Sequence, residues 1–471
     1  MPRAGWVKPL TDQRLSDHIA IGVLTATFPP ELVDEVLAAT GRVQQRSRLL
    51  PARLVTYYVL ALALFSSLGY EEVMRNLVEG LSWQSGWRQA WQIPSQPALT
   101  QARTRLGAEP LAQLFARACV PLAPPGDAAS FWRGLRVVAV DGTTFDVADT
   151  PDNDEAFGRP ASGRGTGKGA YPKLRVVALA ECGTHAVFAA ALGSYNAAES
   201  TLAEELVGRL DPGMLVLADR YFLSHPLFSA FTAAGAQLCW RAKSNAVLPV
   251  LTRHPDGSYA SELVASDDKT TRQRVTPVRV IEYRIDDPGR PQAEATTYRL
   301  VTTLLDPDAA PAAELAALYG QRWEFESALD ELKTHQRGPG VVLRSKSAEG
   351  VRQEAWAYLC THYAIRALMA GAARDRGVDP VRLSFTATLA AARRSVRAGL
   401  GSAATTLAVV VRSVFAEIAG VLVRLRQRRA APRVVKRKMS NYHVKKPEHR
   451  GWPQPTVSIE AAIAVLGASR Q

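Results

Sequence analysis

Apolar residues recur at three- and four-residue intervals in DHIAIGVLTATF, in ELVDEVLAAT and from Pro51 to Leu81, so residues 1–120 are expected to form an all-α domain. Pro94 and Pro97 interrupt this pattern. After them, PALTQARTRLGAEPLAQLF reads as two short helices about the turn Gly107-Ala108, with Arg103 and Arg105 on the first. Two readings stand for this pair: a helix-turn-helix-like DNA-binding unit, or two helices packed on a small bundle.

From about residue 130 the period shortens. LRVVAV (135–140), LRVVALAE (174–181), THAVFAAALG (184–193), MLVLAD (214–219) and AQLCWRA (236–242) are short runs bounded by turn residues, the mark of strands. AESTLAEELVGRL (198–210) and SHPLFSAFTAAG (224–235) are amphipathic helices among them. This order predicts an α/β layer with one mixed sheet. Residues 243–310 form a β-rich insertion, with a hairpin signal at Asp256-Gly257 and strand-like RVTPVRVIEYRI and TTYRLVTTLL. Helices resume with PAAELAALYGQRWEFESALDELK and EGVRQEAWAYLCTHYAIRALMAGAA. The expected organisation is a helical domain at 1–120, a core split into 121–242 and 311–384, the insertion at 243–310, and a helical, basic region at 385–471.

Charge narrows the function. The 471 residues carry a formal charge of +13, which favours a polyanionic partner, nucleic acid before an anionic membrane. The most apolar stretch, 54–70, contains Thr56, two serines and a glycine and reads as a buried core helix, not a membrane span. The N-terminus lacks the apolar run of a secretory signal, and the four cysteines are scattered without a CxxC pair, which fits a reducing cytoplasm.

Two carboxylates end apolar strands: Asp141 in VVAVDGTTFDV and Asp219 in MLVLADRYF. A carboxylate there is costly unless paired, hydrogen-bonded or metal-bound, and ligands of open α/β sheets sit at such strand ends. Either residue alone fits a turn or helix cap; two in one sheet favour a site. A third acid would complete a two-metal centre. In YGQRWEFESALDELK, Tyr319, Arg322, Glu326 and Lys333 fall within an arc of roughly 60° on a regular helix. Glu324 and Glu331 project away from that stripe, and Asp330 is the rival third carboxylate. The plainer alternative is a solvated helix with an Arg322–Glu326 pair.

These residues resemble the DDE transposases of bacterial insertion sequences, in the branch numbered four. The spacing Y-(2)-R-(3)-E-(6)-K is that family's signature, and DGTTF and LADRYF resemble its first and second aspartate motifs in the correct order. LTDQRLSDHIAIGVLTATFPPELVDEVLAATGR resembles its N-terminal domain, and SFTATLAAARRSVR with PRVVKRKMSNYHVKK its C-terminal end. Tyr221 departs from the pattern, since many relatives carry a smaller residue there.

The resemblance implies a catalytic core like ribonuclease H, with Asp141, Asp219 and Glu326 as ligands to two divalent ions, magnesium or manganese. It implies that Tyr319, Arg322 and Lys333 hold phosphates of double-stranded DNA at the transposon end. The reaction expected is cleavage at terminal inverted repeats and strand transfer to target DNA, by a homodimer when bound to DNA. A metal-dependent nuclease of the same fold and an inactive copy that only binds DNA are the rivals.

Further DNA contacts are expected at Arg241 and Lys243, at the insertion's entrance, and in the tail at Arg433, Lys436, Arg437 and Lys438, within a stretch free of acids. Among the insertion's aromatic residues, Trp240, Tyr259, Tyr283 and Tyr298 are candidates to hold a flipped base. The loop 162–173 fails the phosphate-loop pattern because Ser162 and Gly169 stand where Gly and Ser or Thr are required, though Arg164, Lys168 and Lys173 could touch a DNA backbone. His185 reads as structural and not as a metal ligand.

Overall fold

A computed structural model of the chain describes residues 21–43, 50–84, 93–161, 169–265, 267–268, 270, 273–286, 297–338, 340–397, 404–424, 434–435, 443–447 and 457–468. They form two compact units. The first comprises Met1–Arg133, Asp141–Leu206 and Glu324–Val423; the second comprises Gly134–Val140, Val207–Trp323 and Arg424–Gln471.

The first unit begins with helices α1 (Pro30–Ala39), α2 (Ala52–Leu64), α3 (Tyr70–Gln84), α4 (Gln96–Leu106) and α5 (Glu109–Ala118). The all-α expectation for the N-terminal residues agrees with these elements. α2 is apolar on every face and buried along almost its whole length, as its composition requires. Then follow β1 (Phe131–Trp132), the latter part of β2 (Leu135–Asp146), α6 (Pro151–Phe157), β3 (Lys173–Glu181), β4 (Val187–Ser194) and α7 (Glu199–Glu204). β3 and β4 pair antiparallel through a turn that holds His185 at φ 58°, so His185 lies between strands and not within one. The strand expected to start at 184 begins only at Val187.

The centre of this unit is α11 (Ala348–Arg376). Ser347 caps its start by accepting the Gly350 N–H, and Gly377 ends it in the left-handed conformation at φ 63°, which glycine adopts without steric cost. α12 (Phe385–Arg397) and α13 (Ala404–Ala419) pack beside it. Gly371 permits the approach of α13, because a Cβ there would overlap the Phe415 ring.

Arg103 on α4 settles which reading of that helix pair holds for its own side chain. It is buried, and its guanidinium donates to Gln353 Oε1 at 2.9 Å, Tyr70 Oη at 2.5 Å and Ser345 Oγ at 3.0 Å. It bolts α4 to α11 and to the residues just before it, as the bundle reading requires. Arg105 is exposed.

The second unit holds the first part of β2, β5 (Met214–Ala218), α8 (His225–Ala233), β6 (Gln237–Arg241), β7 (Thr252–Arg253), β8 (Tyr259–Val264), β9 (Val275–Ile285), β10 (Tyr298–Thr302) and α9 (Ala312–Tyr319). Its strand order is β2-β5-β6-β10-β9-β8-β7. The β2–β5 and β5–β6 pairs are parallel and β6–β10 is antiparallel, so the insertion's strands extend the core's sheet. β5 is buried throughout, which explains its uninterrupted apolar run. α8 covers the sheet with Phe228 and Phe231, each edge-on to Trp240 at 5.3 and 5.4 Å.

Two features depart from expectation. The C-terminal residues are not only helical. Val434–Val435 (β11) and His443–Val444 (β12) form a parallel pair, and after α14 (Ile459–Ala462) the chain adds β13 (Ile463–Val465) to Tyr283, Arg284 and Ile285 of β9. The helix expected over 311–333 is also interrupted: α9 ends at Tyr319, a turn at Gly320-Gln321 follows, and α10 (Arg322–Asp330) runs into a π-helical segment, Glu331–Gln336. No helix among the described residues is long and apolar enough to cross a membrane.

Candidate active site

β2 and β5 run side by side with Val137 opposite Leu215, Val138 opposite Val216, Ala139 opposite Leu217 and Val140 opposite Ala218. All eight residues are buried. The next residue of each strand is a carboxylate, Asp141 in one and Asp219 in the other. Both are half-exposed, and both engage the backbone that follows: Asp141 Oδ1 accepts the Gly142 N–H at 2.8 Å, and Asp219 Oδ1 accepts the Tyr221 N–H at 2.7 Å.

Glu181 shows the other fate of a strand-end acid. At the end of β3 it is fully buried, and its Oε2 accepts the N–H groups of Leu122 at 3.1 Å and Ala123 at 2.9 Å and the Thr184 hydroxyl at 2.5 Å. It holds a loop. Solvent access separates it from Asp141 and Asp219.

Glu326 is half-exposed on α10, where Phe325 and Ala328 are buried. Asp330, the rival acid, is exposed and lies 3.5 Å from His335. Asp141 and Glu326 belong to the first unit and Asp219 to the second. Among the described residues no group of three or more His, Cys, Asp and Glu side chains is gathered closely enough to hold a metal ion. The donor chemistry does fit: half-exposed carboxylates are the hard oxygen ligands that magnesium and manganese take.

The motif's other residues lie on different elements: Tyr319 on α9, Arg322 on α10 and Lys333 in the π-helical segment. Tyr319 is buried at the end of α9, and its hydroxyl donates to the Ala218 carbonyl at 3.1 Å, one residue before Asp219. Burial pushes its phenol pKa up. The hydroxyl proton is thus engaged inside the protein, where the sequence resemblance implies a phosphate contact. Arg322 is buried, with its guanidinium 4.9 Å from the centre of the Trp323 ring, and Trp323 itself is exposed. Lys333 lies in the π-helical segment and donates to Thr143 Oγ1 at 3.0 Å, two residues after Asp141. Burial, with Arg337 nearby, lowers its ammonium below the usual lysine range. The one regular helix from Tyr319 to Lys333 that the arc assumes is therefore not present.

In the second unit Arg241 stands over the Tyr298 ring at 4.6 Å, and the exposed Lys243 lies 5.7 Å from the Tyr221 ring. Tyr221 is 62% exposed and also carries Arg220 against its ring at 5.2 Å, making a cation-flanked aromatic surface beside Asp219. Of the four aromatic candidates, Trp240, Tyr259 and Tyr283 are buried. Tyr298 is half-exposed and stacks on Tyr283 with centroids 5.2 Å apart. Lys173 pairs with Asp146. Arg164, Lys168, Arg433, Lys436, Arg437 and Lys438 lie outside the described residues.

A largely buried cluster within the first unit escaped the periodicity argument. Arg366 of α11 grips Glu331 with its Nε at 2.8 Å from Oε2 and its Nη2 on Oε1. The same Nη2 meets His185 Nδ1 at 2.7 Å, and His185 Nε2 lies 3.0 Å from Glu324 Oε2. His362 Nε2 is 3.5 Å from Glu331. Burial alone would raise the Glu331 carboxyl pKa, but Arg366, with His185 and His362, outweighs it and holds the group well below the usual carboxylate range. His185 is thus structural, as expected. Glu324 and Glu331, which the sequence places away from the stripe, are the two acids that this cluster engages.

Comparison with known proteins places these features in a family. Residues 18–116 match the N-terminal domain of insertion element 4 transposases, and residues 132–363 match the transposase DDE domain. Over 423 residues, 88% of this chain and 91% of the relative, the sequence is 28% identical to transposase InsG for insertion sequence element IS4 of Escherichia coli (strain K12). A cryo-EM structure of the piggyBac transposase synaptic complex with hairpin DNA aligns over 85% of each chain with a TM-score of 0.40 and 9% identity. With both the N-terminal and the DDE domain matched in order along the chain, the protein belongs to the DDE transposases of the insertion element 4 family.

Proposed function

We propose that this transposase binds the terminal inverted repeats of an insertion sequence, cleaves at the ends and joins the 3′-hydroxyls to target DNA. The observation that carries the site is the register of β2 against β5, which puts a half-exposed carboxylate directly after each of two opposed buried residues. Asp141, Asp219 and Glu326 are the ligands of two divalent ions, magnesium or manganese, in a core of the ribonuclease H type. When bound, such ions supply activation of water or a 3′-hydroxyl and stabilisation of the leaving oxygen.

The chain's own residues do the rest. Gly142 N–H and Tyr221 N–H fix one oxygen of Asp141 and of Asp219, leaving each side chain a preferred rotamer. Tyr319 positions the strand end before Asp219, while Arg322 and Lys333 meet phosphates of the transposon end. Arg241 and Lys243 extend that track across the insertion, and Arg433, Lys436, Arg437 and Lys438 add backbone attraction from the tail. Residues 1–120 contribute to end binding, 121–242 with 311–384 form the core, and 385–471 serve DNA contact and dimerisation. Bringing two ends together calls for a homodimer on double-stranded DNA, acting in the bacterial cytoplasm at the nucleoid.

Glu326→Gln tests the reading. It is expected to abolish metal-dependent cleavage of an end-containing duplex while gel-shift binding of that duplex persists. Robust cutting by this variant sinks the ligand assignment, and complete loss of cutting in Asp330→Asn transfers the role to Asp330.

A further inference from the structure

The cluster behind α10 has a direction to it. Arg366 Nη2 can only donate, so His185 Nδ1 accepts at 2.7 Å, and the ring's proton sits on Nε2, 3.0 Å from Glu324. His185 therefore links the guanidinium that grips Glu331 to the carboxylate of Glu324. Glu324 and Glu331 are seven residues apart and share a helix face to within about 20° on regular geometry, while Glu326 lies about 200° round from Glu324. The helix is held from behind at two points, one on each side of the residue that it presents on the opposite face.

The far anchor also begins the π-helical segment. Glu331 is its first residue, and Lys333, which reaches Thr143, follows two residues later. Segments of π-helix are rare and survive where tertiary contacts over-determine them. Arg366 and His362 come from α11, and His185 comes from the β3–β4 turn, where its backbone is left-handed at φ 58°, uncommon for a non-glycine residue. Its side chain is engaged at both ring nitrogens.

We propose that His185, Arg366 and Glu331 are positioning residues: they set the rotation of α10, and through it where Glu326 offers its carboxylate, and they set the reach of Lys333 toward the loop after Asp141. This rests on the assignment of Glu326 as a metal ligand. The set plays the part of outer-shell partners, whose loss typically costs about 10–100-fold in metal affinity or activity.

His185→Ala and His185→Gln separate positioning from scaffolding. Both carry the same left-handed backbone cost, but glutamine can return an N–H near the place of Nε2. The full chain, bound to an end duplex with a non-cleavable scissile phosphate, is titrated with Mn2+ by electron paramagnetic resonance. Melting temperature and duplex affinity are measured in parallel, and cleavage is followed on the ordinary duplex. The expected result is an apparent Mn2+ dissociation constant raised about 10–100-fold in His185→Ala, duplex affinity changed far less, and most of the metal affinity and cleavage rate restored in His185→Gln.

Two further variants guard the outcome. The double variant Glu331→Gln/Arg366→Met removes both buried charges together, so no lone ion remains, and it is expected to weaken Mn2+ binding in the same way. If His185→Ala and the double variant bind Mn2+ like the parent and only melt lower, the cluster is scaffold and the proposal is overturned. Glu326→Gln under the same titration keeps the two questions apart: unaltered Mn2+ binding there removes the ligand assignment itself, whatever the His185 variants do.

Discussion

The Tyr319 hydroxyl donates to the Ala218 carbonyl at 3.1 Å, so the first residue of the signature is tied to the strand end that precedes Asp219. Both groups are buried. Tyr319→Phe leaves that carbonyl without its donor, a loss of about 1–3 kcal/mol. The expected outcome is a lower melting temperature and slower cleavage with end-duplex affinity retained. A phosphate contact would give the opposite pattern, weaker binding at unchanged stability.

Arg103 makes a similar distinction in the helical region. Arg103→Ala strips donors from Gln353, Tyr70 and Ser345, and each buried partner left unmade costs about 1–3 kcal/mol. Urea unfolding is expected to show a lower midpoint, while the folded fraction binds the end duplex as before. Arg105→Ala, at an exposed position, is expected to leave the midpoint alone.

Glu331 predicts a pH dependence. Its carboxyl sits well below its ordinary value of 4.5 in the folded chain, so its contribution is complete above that value and is lost as pH falls through the lower folded-state value. At neutral pH, Glu331→Gln leaves Arg366 buried without its carboxylate and is expected to cost about 3–5 kcal/mol. In acid the gap between parent and variant narrows. Urea midpoints of both proteins at a series of pH values measure it; a gap that stays constant from neutral to strongly acid conditions would contradict the pairing.

Lys243 is exposed beside Tyr221, where the proposed phosphate contact would release counterions. Lys243→Ala is expected to weaken end binding and to reduce the slope of log affinity against log salt by about 0.9. Fluorescence anisotropy across a salt series reads both, and an unchanged slope removes Lys243 from the DNA track.

Sequence periodicity was informative where burial is uniform. β5 is enclosed on both faces, so its apolar run could be read directly, and α11 carries both a capping serine and a terminating glycine. Asp141 and Asp219 were legible because a carboxylate after such a run is conspicuous, though Glu181 carries the same signal and holds only a loop. What periodicity could not supply was partners distant in sequence. Glu324 and Glu331 could only be placed off the stripe, because His185 and Arg366, which engage them, lie on other elements. The break at Gly320-Gln321 has no proline to announce it, and a π-helical turn has no composition of its own. β13 is too short to show an alternating pattern, and its register comes from β9.

That late strand bears on the order in which the chain can be made. β8 pairs with β9 only as far as Val280, and the ladder at Tyr283, Arg284 and Ile285 is taken up by residues synthesised long afterwards. Until Ile463–Val465 leave the ribosome, the nascent sheet carries a bare strand end with unpaired amides, open to chaperones or to a neighbouring nascent chain. A messenger cut short before those codons would yield a protein with every proposed ligand residue in place and a sheet that is still unfinished.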